Sequence, residues 1–502
     1  MQNKISIIKC ASLDGIDAIS VNIESTFTKG LPSFSIVGLG NTAIQESKDR
    51  IKSSLLTNDF KFPPKRITIN LSPSEVVKKG SHLDTAIALL IALNEQNINF
   101  EDFYVFGELG LDGKLKDTKS IFILILSLAK QGKLKNVLIP KESINKISKI
   151  PNINIYAVDT LNEAINFFTI NDKSQYKIVN KNFEYNFLDI NGVKYYYDKT
   201  YKYDFSDVKG QNRAKRAALI SVAGNHNILF EGNPGCGKSM ITKRMQYIMP
   251  PMSLEEILQQ AKMDSLELKE PTFAPIRPFV SPHHSSTKAS ILGGTKIGEI
   301  ALCHNGILFF DELPHFSKNI LESLREPLED HSILISRVNT KIKYDTKFLF
   351  ISAMNPCPCG NLLSKTKECR CSDLEIQRYK SRLSDPFLDR IDLLITMNEI
   401  TPDDTSDVDS QTLHNQVLQA FIMQKNRGQK ELNGKLNEED IAKYCILDDE
   451  SKIILNQAIE KFSLSFRAIN KILKVSRTIA DLRNSSNIEK IDILEALSYR
   501  KR

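Results

Sequence analysis

The stretch "ILFEGNPGCGKSMITKRM", residues 228–245, limits what this chain can fold into more than any other. Gly232, Gly237, Lys238 and Ser239 fit G-x-x-x-x-G-K-[ST], after an apolar run and before a helical one. In that context a glycine-rich turn closes its backbone N–H groups on phosphates, and the helix N-terminus adds a favourable dipole. The expected nucleotide cradle is Gly232, Asn233, Pro234, Gly235, Cys236, Gly237, Lys238, Ser239 and Met240. Lys238 is placed to reach the β- and γ-phosphates of ATP, and Ser239 the Mg²⁺. Cys236 sits where mainly backbone contributes, so it reads as a packing residue.

A second motif follows roughly 70 residues later: "GILFFDEL", a buried strand ending in Asp311 and Glu312. After a phosphate loop, Asp311 is expected to hold Mg²⁺ through water and Glu312 to polarise the attacking water. A third apolar run, "TKFLFISAMNP", ends in Asn355, able to orient that water beside the γ-phosphate. Charge developing on the γ-phosphate calls for a cation, often from a neighbouring subunit. Arg390 in "LSDPFLDRIDLLI" is the expected trans finger, and Arg467 in "SFRAINKIL" a second phosphate sensor on a helical lid; the alternative for either is a surface or ion-pair residue.

Length implies further domains, because 502 residues exceed what one core serves. Residues 1–170 alternate strands ("SFSIVGL", "RITINLS") with helices, a self-contained α/β domain. Residues 171–206, rich in Asn, Lys and Tyr, read as a linker that can add an edge strand, its tyrosines packed rather than stacked on bases. Residues 207–400 form the nucleotide-binding core with a parallel sheet, and 401–502 a helical lid. The net charge of +7 permits nucleic-acid contact without arguing for it. The longest apolar runs, "TAIALLIAL" and "IFILILSLA", are about half the roughly 20 residues of a membrane span. No signal peptide is apparent, so a cytoplasmic, reduced protein without membrane contact is expected.

The series "DVKGQ", "GNPGCGKS", "RPFVSPHHS", "FFDEL", "AMNPCPCG", "DPFLDRIDL" and "RTIADLR" resembles the ComM/YifB-type magnesium-chelatase-like AAA+ proteins, over nearly the whole chain. The resemblance implies an AAA+ ATPase, a hexameric ring around single-stranded or branched DNA, and branch migration of recombination intermediates in natural transformation. It implies DNA contacts near 278–294 and on a hairpin near 331–346, where Arg337, Lys341 and Lys343 are the candidates. Adjacent His283 and His284 do not easily share one ion and suit a structural or subunit-contact role. His315 stands where relatives tend to carry an acidic residue. The first domain is similar to the Lon-protease (ribosomal S5-type) α/β domain, whose Ser-Lys dyad falls here on His82 and Phe122. Ser81 and Lys119 lie beside those positions and not on them, so a protease-like scaffold without protease chemistry is expected. A chelatase-like or chaperone-like ATPase that remodels a protein partner is the alternative reading.

Cys357, Cys359, Cys369 and Cys371 form C-x-C, nine residues, then C-x-C. Four thiolates suffice for a closed tetrahedral zinc site and leave no open position for catalysis. Structural Zn²⁺ or free reduced thiols are the two readings. The quartet is expected to staple a loop between Asn355 and Arg390, and its loss to leave nucleotide binding largely intact.

Overall fold

The computed structural model describes residues 5–181, 183–336, 341–401, 403–406 and 408–500, with backbone alone at 42 and 43. The chain divides into two units: residues 1–184 with 258–273, and residues 185–257 with 274–502. The segment 258–273 lies in the middle of the nucleotide-binding sequence yet belongs to the first unit.

The first unit is built on an eight-stranded mixed sheet. Its spatial order is Lys177–Ile178, Asn154–Val158, Asn136–Pro140, Phe103–Val105, Ser6–Asp14, Asp17–Thr28, Arg66–Ser72 and Ser33–Val37. Ser6–Asp14 and Asp17–Thr28 pair antiparallel from Ser6↔Ser25 to Asp14↔Asp17, so the hairpin turns on two residues. Helices Asp84–Ala92 and Lys119–Lys130 are apolar along almost their full length, and residues 84–91 and 121–128 are buried. Residues 258–273 tie into this unit through polar and aromatic contacts. Lys262 Nζ meets Asp17 Oδ1 at 2.8 Å, and the rings of Phe122 and Phe273 pack edge-on at 5.6 Å.

The second unit contains a five-stranded, wholly parallel sheet, in the order Phe279–Val280, Ile307–Phe310, Leu349–Met354, Ile228–Glu231, Leu393–Thr396. Parallel strands buried on both faces read as unbroken apolar runs, as "ILFF" and "LFISAM" do. Their shared direction collects the C-terminal ends at one edge, where open α/β sheets bind ligands. Glu231 is in register with Met354 and Thr396, and Phe310 with Ser352.

Helices Ser410–Asn426, Asp449–Phe462, Phe466–Leu482 and Lys490–Ser498 share one core with this sheet. The "RTIADL" residues anchor them. Arg477 is fully buried, donates to the carbonyls of Ser485 (2.6 Å) and Ser486 (2.7 Å), and pairs with Asp481, which also takes both nitrogens of Arg427. Burial holds this guanidinium below its ordinary pKa, and Asp481 opposes that effect. Residues 171–184 fall in the first unit and 185–206 in the second, where Asn186–Ile190 and Val193–Tyr197 pair as a hairpin. Tyr195 stacks edge-on with Phe421, and Tyr201 Oη lies 3.0 Å from His414 Nδ1, so these tyrosines are packed. Among the described residues no helix is long and apolar enough to cross a membrane.

Candidate functional site

Strand Ile228–Glu231 delivers the phosphate loop to the sheet's C-terminal edge, and helix Lys238–Met245 leaves from it. Gly237 caps that helix at φ 93°, a left-handed backbone that a side chain disfavours. Lys238 Nζ donates to the carbonyls of Gly232 (2.6 Å) and Asn233 (3.0 Å) and to Asn355 Oδ1 (3.2 Å). Burial holds this ammonium below its ordinary pKa, while Cys236, Asp311 and Glu312 act in the opposite direction. Ser239 Oγ donates to Asp311 Oδ2 at 2.8 Å. The hydroxyl and carboxylate that would share a magnesium ion are thus already adjacent, and the donor set fits that hard cation. Cys236 is buried, which raises its thiol pKa. Met240 is exposed on the first turn of the helix.

Glu312 sits two residues past its strand with φ 51°. A non-glycine residue held in that region costs about 1–3 kcal/mol and concentrates at functional positions. Its carboxylate is half exposed and lies 4.0 Å from His284 Nδ1. His283 and His284 stack with ring centroids 4.1 Å apart, and His284 lies 6.1 Å from His315. The structure thus gathers Lys238, Ser239, Asp311, Glu312 and Asn355 at one sheet edge.

Arg390 and Arg467 are elsewhere. Arg390 precedes strand Leu393–Thr396, and its carbonyl accepts from Asn227 Nδ2 (2.9 Å), just ahead of the phosphate-loop strand. That is the N-terminal edge of the sheet, away from the phosphate loop. Arg390 Nη1 donates to the Pro386 carbonyl and Nη2 pairs with Glu329 Oε2. Arg467 Nη2 pairs with the other oxygen of Glu329 at 2.5 Å. One carboxylate therefore holds both arginines.

The four cysteines lie beside the phosphate loop. Their ligand atoms all fall within 4.8 Å of one another, and Cys357 is fully buried. Sγ separations are 3.4 Å (Cys357–Cys359), 3.6 Å (Cys359–Cys369) and 3.7 Å (Cys357–Cys369). Four thiolates about 2.3 Å from one zinc stand about 3.8 Å apart, close to these values and far from a disulfide bond. The backbone N–H groups of Asn361 and Arg370 draw Cys359 down to about 6. Cys371, although the Cys359 backbone favours its thiolate, is pushed up to about 12 by desolvation and the neighbouring thiols. Crowded thiols that resist joint ionisation are a donor set a structural zinc fits.

Sequence reasoning missed the residues that brace this edge. Gly360, at φ 80° after the first cysteine pair, rests on Pro234 of the phosphate loop, and a Cβ there would come within 2.7 Å of Pro234 Cγ and Cδ. Glu399 accepts from Asn233 Nδ2 (3.1 Å) with one oxygen and from the Lys365 N–H (3.0 Å) with the other. Lys380 Nζ reaches Glu231 Oε1 at 3.0 Å. Gln211 of "DVKGQ" donates to the Cys236 carbonyl at 3.2 Å. Gln211 falls in "DVKGQ", one of the motifs that carry the family resemblance; the others carry no local signal.

Between the Glu312 strand and the Asn355 strand, Ser332–Ser336 and Lys341–Asp345 form an antiparallel hairpin, with Leu334 opposite Lys343 and Ser336 opposite Lys341. Lys341 and Lys343 are exposed while Ile342 and Tyr344 between them are buried. Arg337 lies outside the described residues. In the first unit His82 and Phe122, at the two dyad positions, are buried. Ser81 Oγ pairs with Glu108, and Lys119 Nζ donates to the Leu268 carbonyl (2.5 Å).

A parallel sheet whose strand ends carry a phosphate loop, an Asp-Glu pair and a polar sensor, with a helical subdomain on the same core, is that of an AAA+ P-loop ATPase. Comparison with known proteins narrows this. Residues 204–405 match the family described as magnesium chelatase, subunit ChlI; 23–143 match subunit ChlI of Mg-chelatase; and 407–500 match the magnesium chelatase subunit ChlI C-terminal family. Competence protein ComM of Haemophilus influenzae is 36% identical over 509 residues, 99% of this chain and 97% of the relative. The uncharacterized proteins YifB of Salmonella typhimurium and Escherichia coli are 35% and 34% identical over the same shares. The chain belongs to the ComM/YifB magnesium-chelatase-like family. Membership implies an ATPase that uses ATP and Mg²⁺.

Proposed function

We propose that this protein is an ATP-driven DNA motor that assembles from copies of itself into a ring, a hexamer, and moves on single-stranded or branched DNA. The observation that carries the reading is the hairpin: its exposed Lys341 and Lys343 stand on the segment joining the strand of Glu312 to the strand of Asn355. A phosphate backbone gripped there is coupled to the strand that carries Asn355 at its far end and, through helices Lys318–Ser323 and Arg325–Asp330, to Glu312. Glu312 takes the role of base, Asn355 orients the water, Lys238 steadies the phosphates, and Ser239 and Asp311 hold the Mg²⁺ that offsets phosphate charge. The ring follows from the arginines. The Arg390 backbone lies at the opposite end of a four-residue strand from its own phosphate loop, about 13 Å at 3.3 Å per residue, and Arg467 shares its Glu329 partner, which supports a role for both on a neighbour's nucleotide. The quartet holds a structural zinc. The first unit keeps a Lon-like scaffold for binding or assembly, and the protein works in the cytoplasm.

The competence name of the Haemophilus relative supports branch migration during natural transformation as the setting. The magnesium-chelatase matches favour a second reading, a chelatase-like or chaperone-like ATPase that remodels a protein partner. ATP turnover with and without branched DNA separates the two, alongside strand separation with ATP and with a non-hydrolysable analogue. Stimulated turnover and ATP-dependent separation are expected. Turnover indifferent to single-stranded and branched DNA sinks the motor reading.

A further inference from the structure

Glu329 lies near the end of helix Arg325–Asp330, two residues ahead of His331, where the chain turns into the hairpin at φ 53°. Its two oxygens are divided between arginines from distant parts of the sequence, Oε2 to Arg390 and Oε1 to Arg467. We propose that Glu329 is the positioning residue for both arginines: it holds them side by side in the free protomer and yields them to a nucleoside triphosphate on a docking second copy of this chain. The proposal rests on the ring reading above and adds the residue that governs when the ring closes.

The chemistry favours an exchange. Two guanidiniums brought together repel unless an anion stays between them, and a carboxylate is the anion most like a phosphate in how it accepts paired N–H donors. The triphosphate carries more negative charge than one carboxylate, so it wins the arginines once it is within reach. Exposure divides the labour. The Arg467 side chain is 63% exposed and Glu329 41%, so their pair is a wet, weak and reversible one. The Arg390 side chain is only 12% exposed and is also tied to the Pro386 carbonyl. Arg467 is therefore the freer arm and Arg390 the one held nearly in place, and both exchange Glu329 for the triphosphate.

The test uses the full chain with Glu329→Gln, which keeps the shape and removes the charge, and Glu329→Asp, which shortens the reach to both arginines. Sedimentation velocity gives the protein concentration for half-maximal assembly, with and without a saturating non-hydrolysable ATP analogue. With the analogue, Glu329→Gln should assemble at a roughly two- to fivefold lower concentration, the range an exposed ion pair commands. Without nucleotide its midpoint should stay at the wild-type value, which a general change in stability would not produce. Glu329→Asp should shift the same way by less, and it serves if the Gln variant melts early. An analogue-bound midpoint that is unchanged or higher in both variants overturns the proposal. Arg467→Ala separates this from the reading beneath it. If Arg467→Ala hydrolyses ATP like wild type, the arginine assignment itself falls. If it is slow while both Glu329 variants assemble like wild type, only the role of Glu329 falls.

Discussion

Gly360→Ala probes the joint between the cysteine loop and the phosphate loop. The new Cβ would stand 2.7 Å from Pro234 Cγ and Cδ, and reaching the 3.4 Å of ordinary contact needs about 0.7 Å of movement. Neither side yields easily, because the proline ring has no rotamer to give and the loop is held by Glu399. Overpacking of this kind costs about 1–3 kcal/mol, and an alanine at φ 80° adds about 1–2 kcal/mol. If 1–2 kcal/mol of that falls on the phosphate loop, ATP affinity drops roughly 5- to 30-fold. Gly428→Ala is the control: it has φ 78° but nothing within 4 Å of the added carbon, so it carries the backbone cost alone. Titration with a fluorescent ATP analogue and thermal melting of both variants make the comparison. A Gly360→Ala protein that melts lower but binds nucleotide like Gly428→Ala would refute the mechanical joint. An affinity loss specific to Gly360→Ala would revise the expectation that losing the quartet leaves nucleotide binding largely intact, because Gly360 rests on Pro234 of the phosphate loop.

Glu312→Gln should retain ATP and lower phosphate release about 10²–10⁴-fold, the worth of a positioned base; near-wild-type turnover in a phosphate-release assay would mean another group is the base. Replacing both Lys341 and Lys343 by Ala should weaken DNA binding uniformly across sequences and reduce the salt slope by about 2, one per phosphate contact, measured by fluorescence anisotropy over a salt series. Elemental analysis of protein purified without chelators should find about one zinc per chain and Cys369→Ser should lower it; zinc-free wild-type protein would leave the thiols free. His82 and His226 are fully buried, and burial pulls each down to about 4. Unfolded histidine binds protons from about 6.5 downward, so stability should be full above that pH and fall as pH drops towards 4, by about 1 kcal/mol per residue at pH 5.5. Thermal melting at pH 7.5 and 5.5 checks this, and His226→Gln should shrink the difference by about 1 kcal/mol, the share of one residue.

The nucleotide edge was legible because each part is short and local: Lys238 and Ser239 come with their glycines, and Asp311 and Asn355 each end an apolar run. The hairpin near 331–346 was legible through the family resemblance, and the structure has its second strand at Lys341–Asp345. What stayed hidden depends on distance in sequence. Nothing near Glu329 indicates that it meets residues as far along the chain as Arg390 and Arg467. Gly360 reads as a turn glycine until Pro234 is set against it. Glu399 carries no local signal, and only the folded chain puts Asn233 and Lys365 on its two oxygens. Spacing could place the four cysteines in one loop, but not show which neighbour that loop supports.

The route of the chain through residues 258–273 bears on how the protein is made. The first unit takes Lys262, Leu268 and Phe273 as partners for Asp17, Lys119 and Phe122, yet those residues are translated only after the phosphate loop. A ribosome making this protein therefore releases an N-terminal domain that stays incomplete until its last partner emerges, although domains usually fold in order of synthesis. Cutting the gene at residue 184 would yield a fragment missing a wall, with the buried ring of Phe122 short of its partner Phe273. The second unit expressed from residue 185 would carry 258–273 with nothing to pack on. A cut between the two units in sequence therefore does not separate them in structure.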